Sequence, residues 1–315
     1  MRTALPEEVV AFGRSARARL DALGGVRLAL RAETDGTARD EAKAALADVG
    51  AWDVDPRGGD DQLLAAAQLC RMAGAVALPY PVVEQLLAVD GALMALVDPL
   101  RPRIDHGDLP GPWLAVDLDG RAQVAVTGAR TTSRLGPFVV PAALGQPRPD
   151  VPADDVSRHL VLGAWRVLGG LETALGLAAA HVTAREQFGR PLAEFQSVRF
   201  AVADAVVAVR GLTELAKYTV WRLASAAPAA RGSDALVLRL HAVDVARDVL
   251  RTCHQLLGAV GFCDEHDVSV LDRHLQPLLR LPYAGEALAA RLVPAVSDGR
   301  LESLFTSSST STSAS

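Results

Sequence analysis

Two segments of the chain gather side chains of the kinds that bind a nucleotide. The first runs Ala184-Arg185-Glu186-Gln187-Phe188-Gly189-Arg190-Pro191-Leu192-Ala193-Glu194-Phe195-Gln196; it sets a guanidinium and an aromatic ring three residues apart, then a Gly-x-Pro turn, then an amide. Arg presents a fork of donors matched to phosphate, Phe a flat face for a heterocycle, and Gln both a donor and an acceptor. That set suits a phosphate-bearing cofactor with an aromatic base. By residue type alone, the segment also reads as an inter-helix turn with an exposed Arg and a buried Phe. The second segment, His254-Gln255-Leu256-Leu257-Gly258-Ala259-Val260-Gly261-Phe262, follows an amide side chain with two glycines. Glycines admit a ligand closely and permit positive φ, but a Gly-x-x-Gly after a helix also serves as a plain C-cap.

Cys253, His254, Cys263 and His266 are ligand types that zinc prefers. Their spacing matches no common finger or ribbon and Cys253 falls on an apolar helix face, so no metal is expected. No Gly-x-Ser-x-Gly elbow, phosphate-binding loop, Gly-x-Gly-x-x-Gly or His-Glu-x-x-His is present.

Four stretches must position these residues. Residues 1–99 are Ala/Leu-rich with helical spacing, broken by a Gly/Asp/Pro turn at 55–61. Residues 100–153 carry eight prolines, which forbid long helices, and two alternating runs, Trp113 to Leu118 and Arg121 to Val126, flank Asp119-Gly120 as a two-residue hairpin. A short β domain is expected there. From 154 to 298 prolines almost vanish. Asp154 or Asp155 caps a helix to about Ala184, a second spans roughly 194–226, a third begins after Gly232-Ser233-Asp234, and a fourth follows the turn from Gly258 to Glu265. Short connections between long helices imply an antiparallel bundle. Residues 299–315 form a Ser/Thr-rich tail with too little apolar surface to fold. The fold class expected is mainly α with a small β domain.

Composition bounds the partners. The 315 residues are 50% apolar and 22% charged, with a net charge of −5 and no block of consecutive Lys/Arg. A nucleic-acid groove or polybasic membrane patch needs concentrated positive charge, so neither is expected. Cys70, Cys253 and Cys263 make no disulfide framework, and a reduced cytoplasm is expected. The N-terminus shows no secretory signal. The longest apolar stretch, 161–180, is interrupted by Arg166 and Glu172 and reads as a buried protein helix, not a membrane span.

In this order and about 70 residues apart, the two segments resemble the C-terminal half of the flavin-dependent acyl-CoA dehydrogenase family. That family carries Arg-x-Gln-Phe-Gly-x-Pro and a following Gln, then Gln-x-x-Gly-Gly-x-Gly-Phe or Tyr, an Arg-Asp pair, and Tyr-Glu-Gly-Thr. The matches are Arg185, Gln187, Phe188, Gly189, Pro191, Phe195 and Gln196, then Gln255, Gly258, Gly261 and Phe262, then Arg273. A weaker likeness covers 60–98, where Ala66 to Pro81 resembles a helix and proline turn of the family's N-terminal domain. The resemblance implies an N-terminal helical domain, a shortened middle β domain and a C-terminal four-helix bundle. It also implies that Arg185, Phe188 and Gln196 touch the ADP part of FAD while Gln255, Gly258 and Gly261 line its phosphate and ribose region. In the family these groups generally serve FAD seated mainly in a neighbouring subunit.

The departures concern the chemistry. The family removes the α and β hydrogens of an acyl thioester; a glutamate takes the α proton and a hydride passes to the flavin. Aligning Leu281-Pro282-Tyr283-Ala284-Gly285-Glu286-Ala287 on Tyr-Glu-Gly-Thr places Ala284 where that base stands, and an alanine takes no proton. Some members place the base on the first bundle helix, 26 residues before the motif arginine, which lands on His159. Glu286, two residues past the usual position, points about 200° away around a helix. Ala259 replaces one glycine of the family's pair, and His274 stands where an Asp follows Arg273, which removes an ion pair. No Thr-Glu-x-x-x-Gly-Ser-Asp stretch lies between 90 and 155; Gly128-Ala129-Arg130-Thr131-Thr132-Ser133 is the nearest polar run and is expected as strand and turn.

The resemblance therefore implies a subunit of a heteromeric acyl-CoA dehydrogenase of the steroid type: it is expected to assemble as α2β2 with a full-length partner, which supplies the glutamate and most of the acyl pocket, and to pass electrons to an electron-transfer flavoprotein or similar acceptor. Two alternatives are a homomeric flavoenzyme using His159 or Glu286, and a flavin-free assembly scaffold.

Overall fold

The computed structural model describes residues 4–130 and 133–298. Five helices come first: α1 (Glu7–Ala22), α2 (Val26–Ala32), α3 (Thr37–Asp48), α4 (Asp60–Ala75) and α5 (Val82–Leu86). A five-stranded sheet follows, built from β1 (Leu93–Leu96), β2 (Arg103–Asp105), β3 (Trp113–Val116), β4 (Ala122–Thr127) and β5 (Val139–Arg148) in the order β1-β3-β4-β5-β2. Only the β1–β3 pairing is parallel. Along β1 and β3 alternate residues face opposite sides: Met94, Leu96, Leu114 and Val116 join the main core, while Leu93, Ala95, Trp113 and Ala115 form a smaller second cluster. The sheet thus begins at Leu93, before the expected change of texture near residue 100. A four-residue apolar run has too little length to separate strand from buried helix by periodicity.

The hairpin between β3 and β4 is wider than a two-residue turn. Asp117 N donates to Arg121 O, and the Asp117 carboxylate accepts from the amides of Asp119 and Arg121, each across 2.9 Å. A side chain, not only the Asp119-Gly120 pair, closes this turn.

The bundle consists of α6 (Ala153–Ala184), α7 (Gln196–Ser225), α8 (Pro228–Leu257) and α9 (Asp267–Arg280), with α10 (Gly285–Ser297) packed on α8. Pro152, not an aspartate, stands at the start of α6. Asp154 and Asp155 lie in its first turn and pair with Arg231 and with Arg57 and Arg158. The third bundle helix starts at Pro228, ahead of the expected Gly232-Ser233-Asp234 break. Pro at the first position initiates the helix, and Asp234 instead bonds Arg222 of α7 across 2.7 Å.

By length and composition α6 would cross a membrane, yet its most apolar window is 78% buried inside the protein. Arg166 and Glu172, which interrupt its apolar stretch, are satisfied there: Arg166 donates to Leu78 O at 2.7 Å, and Glu172 receives both arms of Arg71. The connection from α6 to α7 is one hairpin, and α7 to α8 only Ala226-Ala227, so α6 and α8 run the same way. The two nucleotide-like segments consequently lie at one end of the bundle, where α6 and α8 finish.

Candidate functional site

At that end α6 stops at Arg185, whose backbone turns extended. A two-stranded hairpin follows, β6 (Glu186–Gln187) against β7 (Arg190–Pro191), with Phe188 at φ +54° and Gly189 at φ +78° between them. Two successive positive φ values are the signature of a tight primed turn. The turn carries Phe188 outward until it is 91% exposed, so the plain reading with a buried ring is corrected. Its ring touches only Phe195 edge-on, at 6.2 Å between centroids, and Arg190 lies 4.1 Å over Phe195. Leu192 N donates to Arg185 O, which fixes the hairpin on the helix end. Arg185 and Gln196, the latter opening α7, both face solvent.

The end of α8 is shaped by Gly258, whose φ of +61° and ψ of −141° belong to glycine alone. Gly261 is packed so that a Cβ would stand 2.8 Å from the Cβ of Leu257. Ala259 occupies the adjoining helical turn without strain. His254 ties the loop down: Nδ1 bonds Gly261 O at 2.8 Å and Nε2 bonds Asp272 at 3.1 Å, and the Asp272 contact raises its pKa. Phe262, 71% exposed, stacks on this imidazole. Gln255 and Phe262 border a groove of about 560 Å³ with Arg251, Arg273, Gln276 and Arg280 along it. A second hollow sharing Arg251, His254, Gln276 and Arg280 continues the groove to Ala284 and Gly285. Guanidiniums and amides in a solvent-open channel suit phosphate groups. Arg251, Gln276 and Arg280 escaped the sequence reading because, singly, they look like any solvated helix face.

The positions discussed for proton removal separate. Ala284 stands just before α10, exposed, and Glu286 is exposed in that helix's first turn. His159 instead lines a small, partly open chamber between α5, β1, β2, α6, α8, α9 and the 281–282 segment, together with Glu84, Arg103, Asp105 and Arg239. The chamber is about 50 Å³, against roughly 300–1,000 Å³ for ordinary ligand sites. Burial pushes His159 down to about 4, so its imidazole is neutral near pH 7. Arg239 donates to Leu281 O across 2.9 Å and holds the 281–284 segment to α8. Glu84 and Arg239 are each a charge set inside an apolar run, Val82-Val83-Glu84 and Leu238-Arg239-Leu240, which is the signal that could have found them.

Arg273 finds its ion pair elsewhere, while His274, whose pKa burial lowers, joins it by a hydrogen bond. Glu33, from just beyond α2, accepts from Arg273 Nε at 2.7 Å and from His274 Nε2 at 2.9 Å. The residue after Arg273 thus keeps a charged partner, supplied by the N-terminal helices. The four Cys/His residues do not assemble: Cys253 is buried in α8, Cys263 is exposed, His254 is engaged as above, and His266 Nδ1 accepts from Val268 N. Among the described residues no three His, Cys, Asp or Glu side chains come together as a metal site. In the polar run, Arg130 bonds the Glu33 carbonyl; Thr131 and Thr132, like the 299–315 tail, lie outside the described residues.

For FAD, the chamber and the bundle end give opposite answers. A tricyclic flavin ring does not fit 50 Å³. The outward-facing Arg185, Phe188, Gln196 and Gln255, with the groove beside them, do fit the nucleotide end of a cofactor presented from outside.

Residues 157–279 match the model of the acyl-CoA dehydrogenase C-terminal domain. Acyl-CoA dehydrogenase FadE28 of Mycobacterium tuberculosis is 38% identical over 101 residues, covering 32% of this chain and 29% of that protein. The short-chain specific acyl-CoA dehydrogenase of Clostridium acetobutylicum is 36% identical over 112 residues, 35% of this chain and 28% of the relative. The matched stretch therefore spans less than a third of these curated relatives. In three dimensions the chain is similar to a variant of the Tcur3481-Tcur3483 steroid ACAD, with a TM-score of 0.78 at 18% identity over 94% of this chain and 99% of that one. It is also similar to the ChsE4-ChsE5 complex from Mycobacterium tuberculosis, with a TM-score of 0.75 at 17% identity over 95% and 99%. Residues 157–279 thus match the acyl-CoA dehydrogenase C-terminal domain, and the chain that carries them has the acyl-CoA dehydrogenase fold.

Proposed function

We propose that this chain is the short subunit of a heteromeric, FAD-dependent acyl-CoA dehydrogenase, and that it completes the FAD site of a full-length partner without performing the chemistry itself. The observation that carries this reading is the contrast between its two sites. The residues matching the family's FAD contacts project outward from one bundle end, whereas the chamber is about 50 Å³ and position 284 is alanine. Arg185 and the groove arginines hold phosphate, Phe188 and Phe262 present ring faces, and Gln196 and Gln255 orient the nucleotide by hydrogen bonds. When bound, FAD accepts the hydride from the acyl β carbon.

In this reading the assembly is α2β2, the partner provides the glutamate and acyl pocket, and electrons leave to an electron-transfer flavoprotein or similar acceptor in the cytoplasm. An acyl-CoA with a steroid ring system is the substrate class favoured by the likeness to a steroid ACAD. The test is to purify the chain alone and with a full-length acyl-CoA dehydrogenase encoded beside it, then record flavin absorbance and its bleaching by acyl-CoA. Expected is a colourless chain alone and a yellow, bleachable complex. Colour and turnover from the chain alone would make it an independent enzyme; a complex that stays colourless would make it a scaffold.

A further inference from the structure

Three polar atoms are buried without a partner around the same chamber: Glu84 Oε2 from α5, His159 Nε2 from α6 and Arg239 Nη1 from α8. His159 Nε2 stands 3.7 Å from Glu84 Oε1, too far for a direct hydrogen bond. Asp105 closes the fourth side. A buried donor or acceptor left unmet bears its full desolvation penalty, so three around one cavity call for an occupant.

We propose that the chamber is a buried hydration site, holding a small cluster of ordered water that bridges Glu84, His159 and Arg239. The chemistry of the lining selects this ligand. Arg239 only donates, a neutral imidazole nitrogen and a carboxyl oxygen can accept, and the occupant must therefore offer both functions. A cation faces the guanidiniums of Arg103 and Arg239, an anion offers no donor to the His159 nitrogen, and an acyl chain leaves all three atoms unmet. Water is neutral, donates and accepts, and needs about 10–15 Å³ apiece, so about 50 Å³ holds roughly three. Burial pushes Glu84 up, His159 down to about 4 and Arg239 down to about 10, each away from its charged form, and bridging water relieves that. The cluster joins three helices, and Arg239 links it onward to the Leu281 carbonyl.

The inference rests on the small chamber described above, not on the assignment of FAD contacts. A high-resolution crystal structure of the full chain in its purified assembly tests it. Expected is ordered water within hydrogen-bond distance of all three atoms; an empty chamber, or an acyl chain or flavin ring in it, overturns the proposal. In solution, oxygen-17 relaxation dispersion counts long-lived internal waters. His159→Leu should lose at least one relative to the unmodified chain, and the isosteric Glu84→Gln should keep the count; equal counts for all three overturn it. If His159→Leu does not fold, the crystal structure still decides. A hydrated chamber in a colourless assembly would refute the FAD reading alone, and a dry chamber in a yellow assembly would refute this one alone.

Discussion

Gly169 of α6 lies directly against the main chain of Arg71 in α4: a Cβ on it would stand 1.8 Å from the Arg71 carbonyl oxygen. The contact is reciprocal, since a Cβ on Gly74 would stand 1.8 Å from the Arg166 carbonyl oxygen. Two glycines thus set the distance between the N-terminal helices and the bundle, and Arg71 closes the crossing on Glu172. Gly169→Ala must push the helices apart and is expected to lower stability by roughly 3 kcal/mol. Gly176→Ala, where nothing lies within 4 Å, should instead raise it by about 0.5–1 kcal/mol. Chemical denaturation of both variants checks the pair.

The pairing of Glu33 with Arg273 and His274 makes the family-like residue unfavourable here. His274→Asp would bring a second carboxylate beside Glu33 in a buried position, with an expected loss of roughly 3 kcal/mol. Adding Glu33→Gln should recover part of that loss, which a double-mutant cycle measures.

Burial raises Asp105 to about 7. The unfolded chain releases this proton near pH 3.9, the native chain only near 7. The contribution is fully present below pH ~3.9, declines above it and is lost above about 7. Asp105→Asn can keep the bond from His106 N and removes the decline. Urea titrations at pH 5 and pH 8 should show a smaller drop for the variant.

The outward placement of Arg185 and Gln255 separates binding from folding. In the assembly, Arg185→Ala is expected to weaken FAD retention about tenfold or more, the scale of a lost hydrogen bond to a charged group. Gln255→Ala should act in the same direction, and the thermal midpoint of the isolated chain should not move for either. Flavin fluorescence released on dilution reads the first effect and a thermal melt the second.

Ala284 and Glu286 are both exposed and outside the chamber. Glu286→Ala should leave turnover of the assembly unchanged, and Ala284→Glu should not confer turnover on the chain alone. Acyl-CoA-dependent bleaching measures both; loss of activity in Glu286→Ala would assign that carboxylate a role in the reaction.

Much of this was legible in the order of residues because it depends on local chemistry. Apolar spacing marks the long helices, Asp119-Gly120 marks a hairpin, and the Arg185 and Gln255 segments carry their family likeness in residue type and spacing. Alanine at 284 removes a base whatever surrounds it. Only the tertiary structure decided how those pieces are used. It turned Phe188 outward on a two-residue turn, replaced an aspartate after Arg273 with Glu33 from about 240 residues away, and carried the Gly232-Ser233-Asp234 stretch through as helix because Asp234 meets Arg222. It also brought Glu84, His159 and Arg239 around one small chamber. Each of these depends on which distant groups exclude water from a side chain, and burial of that kind is a property of packed elements, not of neighbours along the chain.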